Sequence, residues 1–150
     1  MTWITKDNTI ISSLEDMPKG AFGFVYEITN IDNGKRYIGK KQVISVTKKK
    51  FGKRKLAEIT DKRVKRYEMI TKEANWYDYI GSSEKLLEDV KKGDRINKVI
   101  VEFAFSKAHL TYLETKYQFI EGVIESEDWY NDSILGKFFR SIFDFKNKKK

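Results

Sequence analysis

The sequence predicts an α+β fold: a small three-stranded sheet, antiparallel or mixed, flanked by helices in a single domain. Three observations predict it. Two runs of β-formers, Phe24–Asn30 and Lys35–Lys41, flank Asn33-Gly34, the strongest short-range hairpin signal because both turn positions favour positive φ. A third run, Lys98-Val99-Ile100-Val101-Glu102-Phe103-Ala104-Phe105, reads as a buried strand. Leu110, Leu113, Tyr117 and Ile120 then recur at helical spacing.

In chain order, residues 1–22 read as an irregular extension broken by Ser12-Ser13 and Met17-Pro18-Lys19-Gly20. The domain is expected over 23–145. A two-residue turn at Asn33-Gly34 would set Asp32 opposite Lys35, Ile28 opposite Gly39 and Tyr26 opposite Lys41. Tyr26, Tyr37 and Lys41 then share one face of the ribbon, with Gly39 leaving a gap between them. A basic insertion is expected over 43–66: Val43–Lys55 reads as a mobile lysine-rich loop, and Leu56–Lys72 as a helix with a basic outer face. Trp76-Tyr77-Asp78-Tyr79-Ile80-Gly81-Ser82-Ser83 is an aromatic loop, from which Ser83 starts a short helix that stops near Gly93. Ser106 caps the next helix, where Glu114 falls about 40° from Leu110, at the edge of the apolar stripe. Ile134, Phe138, Phe139 and Ile142 suggest a terminal helix, and Lys146–Lys150 a disordered basic tail.

Composition removes whole classes of chemistry. The 150 residues contain no cysteine, which excludes disulfides, thiolate zinc sites, iron–sulfur clusters and thiol nucleophiles. The single histidine, His109, excludes His-rich metal triads and nucleases that need a histidine base plus histidine ligands. A metal here must sit on oxygen, which favours Mg²⁺ or Mn²⁺. The net charge of +8 is uneven: Thr47–Arg66 carries ten Lys/Arg against Glu58 and Asp61, and 137–150 carries six against Asp144. The remainder is mildly acidic. Two basic segments on an acidic body are the electrostatic footprint of a polyanion partner. No stretch is long and apolar enough for a membrane span, and the opening residues lack a signal peptide's charged and apolar regions, so a cytoplasmic compartment is expected.

Phe24-Val25-Tyr26 and, ten residues on, Tyr37-Ile38-Gly39 resemble the signature of the GIY-YIG nucleases. Asn30, Asn33-Gly34 and Lys40 extend the match, and Trp76–Ser83 followed by a helix and a strand resembles the phage-encoded, free-standing Seg-type homing endonucleases of that family. The resemblance covers roughly residues 24–134. It implies a GIY-YIG-like fold and metal-dependent DNA cleavage, by nicking or double-strand breaks, inside the host cell. It further implies Tyr26 and Tyr37 as general base and as holder of phosphate or water, Glu114 as the Mg²⁺ or Mn²⁺ ligand, and Asn131 as a catalytic or structural asparagine. Two departures stand out. Phe24, preceded by Gly23, replaces the first glycine, and Thr47 stands near where the family carries a helical arginine. Lys41, Arg63 and Arg66 are the candidates for that cation; Lys48, Lys49, Lys50, Lys53, Arg54, Arg63 and Arg66 are expected to grip DNA.

Bland roles compete with these. A hairpin tyrosine ordinarily packs a core, an acid at a stripe edge is ordinarily just solvated, and Asn131 could simply turn the chain. The loop tryptophans and tyrosines suit core plugging better than base stacking, and His109 suits a surface. A restriction-type reading from Asp94 and Glu114-Thr115-Lys116 needs the latter on a strand, whereas the spacing puts it on a helix. The remaining alternative is a catalytically inactive protein of this fold that only binds nucleic acid, for which the basic segments suffice. A homodimer or a partner protein is the expected route to double-strand cleavage.

Overall fold

A computed structural model describes residues 2–143; the expected tail Lys146–Lys150 lies outside them. The chain forms two compact units, one from the residues up to Val43 and from Asn75 onward, the other Ile44–Ala74.

The first unit is built on five strands: β1 (Trp3–Thr5), β2 (Ile10–Ile11), β3 (Gly23–Asn30), β4 (Arg36–Gln42) and, after the second unit, β7 (Ile96–Ala104). Their spatial order is β2-β1-β7-β3-β4, antiparallel except for the parallel β1–β7 pair. The three strands expected from the sequence are the β7-β3-β4 core of this sheet. The supposed irregular extension supplies the other two, because Trp3 fills a fully buried place on the sheet face and its indole N–H donates to the carbonyls of Trp76 and Tyr77. Such short strands carry too few residues for an alternation signal.

The hairpin register differs from the expected one by two residues: Tyr26 opposes Gly39 and Ile28 opposes Tyr37. The connection is a wider loop, closed by Asn30 N–H to Lys35 O (2.8 Å) and Gly34 N–H to Asn30 O (2.8 Å), with positive φ at Gly34 alone. The Asn30 side chain closes it by accepting from the N–H groups of Asp32 (2.9 Å) and Asn33 (3.3 Å). Because the shift is even, Tyr26, Tyr37 and Lys41 still share a face.

Helices α2 (Glu84–Lys91) and α3 (Lys107–Glu121) start on the expected caps, Ser83 and Ser106, whose hydroxyls accept from Leu86 N (3.3 Å) and His109 N (3.1 Å). One sheet face, with Val25 and Ile38, packs on Leu110 and Leu113 of α3 and on Val123, Ile124, Trp129 and Ile134. Gly23 permits that approach, since a Cβ there would meet Leu110 at 2.8 Å. The other face, with Trp3, Phe24 and Tyr26, is covered by the 75–82 loop through edge-on contacts to Trp76 and Tyr79.

The expected terminal helix is instead a short hairpin, β8 (Ser133–Ile134) and β9 (Phe138–Phe139), turned by Leu135 and Gly136 at φ 59° and 64° and followed by a 3₁₀ turn at Arg140–Phe143. Two consecutive left-handed residues break any helical repeat there.

The second unit overturns two expectations. It is an antiparallel ribbon of β5 (Ile44–Lys50) and β6 (Tyr67–Glu73), paired from Ile44↔Glu73 to Lys50↔Tyr67, with one short helix, α1 (Lys53–Glu58), at its far end. The supposed loop is thus largely strand, and the supposed helix is mostly turn and strand. Val46, Thr47, Ile70 and Thr71 are the β-branched residues that the lysines obscured. None of the unit's side chains is buried.

Candidate active site at the sheet edge

Strand β4 ends the sheet, so the outward N–H and C=O groups of alternate residues need partners from elsewhere. Three different devices supply them. Arg36 bonds through its backbone to Asp128 O (2.9 Å) and to the N–H of Tyr130 (2.7 Å). Ile38 is paired by the side chain of Asn131, whose Oδ1 accepts from Ile38 N (3.1 Å) while Nδ2 donates to Ile38 O (2.8 Å); Gln118 donates to the same carbonyl (3.0 Å). At Lys40 the Glu114 carboxylate lies beside the strand, 3.9 Å from the Lys40 ammonium, and the Lys40 backbone N–H favours its charged form. Asn131 therefore imitates a strand with its amide, and Glu114 continues the same edge from α3.

A polar cleft of about 540 Å³ opens along this edge, and its lining includes Tyr37, Ser82, Glu114, Asn131 and Asp132. Tyr37 reaches it from the loop-covered face of the sheet and Glu114 from the helix-covered face. They line the same cleft because β4 is the last strand.

Glu114 is half-buried. Burial raises its carboxyl above the usual range, while the Lys40 ammonium, 3.9 Å away, and the Lys40 backbone N–H work in the opposite direction. Lys40 Nζ also donates to Thr111 Oγ1 (2.9 Å). The cation beside the acid is thus Lys40, which the sequence reading placed only within the signature. Its parity with Ile38, a residue that faces α3, is the signal that could have found it. Lys41 lies on the other face with its ammonium 4.6 Å from the Tyr79 ring centre. Arg63 and Arg66 belong to the second unit, where Arg63 pairs with Asp61 at 3.1 Å.

The two tyrosines differ sharply. Tyr37 hydrogen-bonds to Ser82 Oγ (3.0 Å) and lines the cleft. Tyr26 is 1% exposed, does not line the cleft, and its ring packs edge-on against Tyr79 with centroids 5.9 Å apart. Burial pushes both phenols above their ordinary value of 10, Tyr26 furthest, with nearby Glu114 adding to each; the Ser82 hydrogen bond acts the other way at Tyr37, favouring the phenolate. A cation that would favour either phenolate has to come from outside these side chains.

Backbone without side chains makes the phenol cluster compact. A Cβ at Gly39 would lie 2.7 Å from Tyr26 Cζ and 2.9 Å from Tyr37 Cε2, which bears out the expected gap. Gly81, at φ 96°, sits 3.3 Å from the Tyr26 hydroxyl by the same measure. The loop residues Tyr79, Gly81 and Ser82 therefore flank the phenols; the sequence reading gives Tyr79 only a core or loop-plugging role.

Asn30 and Asn33 act at a distance from the cleft. Their amides donate to Tyr130 OH (3.0 Å each), and that hydroxyl donates to Asp89 Oδ2 (2.6 Å), tying the hairpin turn to α2. Tyr130 and Asn131 are held in turn by Arg140, whose guanidinium donates to the carbonyls of Val123 (3.0 Å), Trp129 (2.9 Å), Asn131 (2.5 Å) and Ser126. In the sequence Arg140 stands out only as one of the cations of the basic 137–150 segment. His109 accepts from Phe105 N (3.1 Å) at the start of α3, as a helix-terminal residue. Trp76, Trp129 and Tyr130 are buried, as expected of core plugs.

The family model described as "Putative endonuclease segE, GIY-YIG domain" matches residues 3–134, which takes in every strand of the five-stranded sheet, α3 and the Asn131 segment. No curated protein and no solved structure gives a match. No helix among the described residues is long and apolar enough to cross a membrane.

Proposed function

Since the chain belongs to the SegE-type GIY-YIG family, and so is a nuclease whose substrate class is DNA, we propose that it hydrolyses phosphodiester bonds in DNA at the cleft beside β4, with a divalent metal. The observation that carries this reading is that Tyr37 and Glu114 line one polar cleft, with the Lys40 ammonium 3.9 Å from the acid.

The donor set fits a hydrated Mg²⁺ or Mn²⁺. Glu114 would hold it, with the remaining positions filled by water and a substrate phosphate, as suits an ion that keeps much of its hydration. Among the described residues no three His, Cys, Asp or Glu gather at one point, so a single-carboxylate site is the form this chain offers. Bound there, the ion would neutralise phosphate charge and make its water more acidic.

The chain's own groups have separable tasks. Tyr37, set by Ser82, would orient the attacking water or a phosphate oxygen. Lys40 would offset charge on the phosphate as water adds to phosphorus and the P–O3′ bond breaks, leaving 5′-phosphate and 3′-hydroxyl ends. Tyr26, enclosed behind Gly39, would buttress the Tyr37 ring rather than touch substrate. Asn131 would act through the Ile38 backbone, fixing the strand that presents Tyr37. The cations Lys48, Lys49, Lys50, Lys53, Arg54, Arg63 and Arg66 would bind the DNA, and two copies of the chain would deliver a double-strand break. Likeness to the Seg branch supports a free-standing, phage homing-type enzyme.

Nicking of supercoiled plasmid in Mg²⁺ tests the reading. The wild type should nick, and Glu114→Gln should lose roughly 100-fold or more of that rate while still retarding the plasmid on a gel. A folded wild type that binds DNA and leaves it intact in Mg²⁺ and Mn²⁺ would establish the non-cleaving alternative instead.

A further inference from the structure

The second unit combines two properties that rarely coexist in a stable element. Eleven Lys/Arg against four acids fall within Ile44–Ala74, and none of its side chains is buried. A two-stranded ribbon without a core is marginal in water, so this one is built to be completed by a partner. Its charge selects a polyanion.

The two faces of the ribbon are chemically different. Paired residues share a face, so Val46, Lys48 and Lys50 lie with Thr71, Met69 and Tyr67, all but Tyr67 exposed. Only Glu73, at the base, adds an acid to that face. On the opposite face Lys49 stands directly across from Glu68, an exposed Lys72 stands across from Ser45, and Ile70 is half-buried. The first face therefore offers ammonium, hydroxyl and exposed apolar groups together, with Val46 42% and Met69 52% exposed. Those are the groups that read base edges: lysine to guanine acceptors, and methyl-bearing side chains to the thymine methyl. The Tyr67 ring lies 4.6 Å from the Lys48 ammonium and holds that side chain along the face. A ribbon of seven paired residues, about 20 Å long, is also the shape that the major groove of about 12 Å width admits.

We propose that the β5–β6 ribbon enters the major groove of double-stranded DNA with its Val46–Lys48–Lys50–Met69–Thr71 face toward the base edges, and so carries sequence preference for the nuclease. This rests on the DNA reading above and adds the groove, the face and the recognition role. The basic residues beyond the strands would flank the groove on phosphates.

The test uses the full chain as Glu114→Gln, with a 40-base-pair duplex selected by that protein from a random pool. Dimethyl sulfate should find guanine N7 atoms protected within the bound site, and netropsin, a minor-groove ligand, should fail to compete. Lys48→Gln with Lys50→Gln should weaken binding at least tenfold. Val46→Ser with Met69→Ser should leave the salt dependence intact while cutting the preference for the selected duplex over a scrambled one at least fivefold. On the opposite face, Ser45→Ala with Thr47→Ala should change affinity less than threefold. All but Ser45 of these positions are exposed and Ser45 is only partly covered, so unchanged thermal unfolding is the check on fold. Reactive N7 atoms, netropsin competition, or equal losses from both faces would overturn the proposal. Binding and wild-type cleavage that ignore every ribbon substitution would overturn it alone; a folded chain that binds no duplex at all would overturn the DNA reading with it.

Discussion

The edge of β4 and the β5–β6 ribbon are both exposed strand edges, and they are finished in opposite ways. Along β4 the outward groups of Arg36 and Ile38 have dedicated partners, the 128–130 backbone and the Asn131 amide, and the Glu114 carboxylate lies against Lys40. The ribbon has its ladder and a row of lysines, with no side chain buried. Site chemistry requires groups held to within tenths of an ångström, and that requires an over-determined edge. A grip on a polyanion requires only charge and reach. On the proposed function, each demand falls in the unit suited to it.

The sharpest way to break this comparison is to remove one arginine from each region. Arg140→Met strips donors from four carbonyls of the 123–131 segment, and should cost roughly 2–4 kcal/mol of stability, with nicking lost in step as Asn131 shifts. Arg63→Ala removes an exposed pair with Asp61 and should cost less than about 0.5 kcal/mol. Thermal unfolding of both variants reads the contrast, and equal losses would mean that the β4 edge is no more determined than the ribbon.

How far the sequence reached follows the same division. The Asn33-Gly34 hairpin, the strand around Ile100 and the capped α3 were legible because each carries a local signal at a fixed period. Tyr26, Tyr37 and Glu114 could be singled out because their spacing matches a known signature. Lys40, Ser82, Gly81 and Arg140 could not, since each matters through contacts 44 to 74 positions away or through a backbone group that no side-chain pattern reports. The ribbon was misread for a different reason: lysine-rich strands have no alternation of apolar and polar residues when neither face is buried.

Gly39 tests whether the phenols are as closely set as the geometry says. A methyl group in place of its hydrogen would overlap the Tyr26 and Tyr37 rings, and both lie on a face packed by the 75–82 loop. Gly39→Ala should cost roughly 1–3 kcal/mol and lower the nicking rate with little change in DNA affinity. The same substitution at Gly52, where nothing lies within 4 Å, should be close to neutral for stability. Wild-type nicking by Gly39→Ala would show that the Tyr26–Tyr37 contact is irrelevant to the chemistry.

The smallest effect is a pH dependence confined to the packed unit. Lys98 on β7 is 2% exposed, with its ammonium donating to Tyr77 O (2.8 Å) and lying 4.3 Å from the Trp3 ring centre; burial lowers its pKa from 10.5 to about 8, with only Asp78 acting the other way. Below pH 8 the amine is charged in folded and unfolded chains alike, and its desolvation works fully against the fold. Above pH 8 the folded chain releases the proton first, so the unfolded chain binds more protons up to about 10.5 and stability rises with pH. Tyr26 opposes this from about pH 10, because an unfolded phenol ionises there while the buried one stays protonated. The melting temperature should therefore climb between pH 8 and 10, by the equivalent of about 1–2 kcal/mol, and fall beyond it. Lys98→Met should flatten the climb and keep the fall. A wild-type melting temperature that declines steadily from pH 7 would mean that water reaches Lys98, and that the loop carrying Tyr79, Gly81 and Ser82 is seated more loosely on the sheet than its contacts imply.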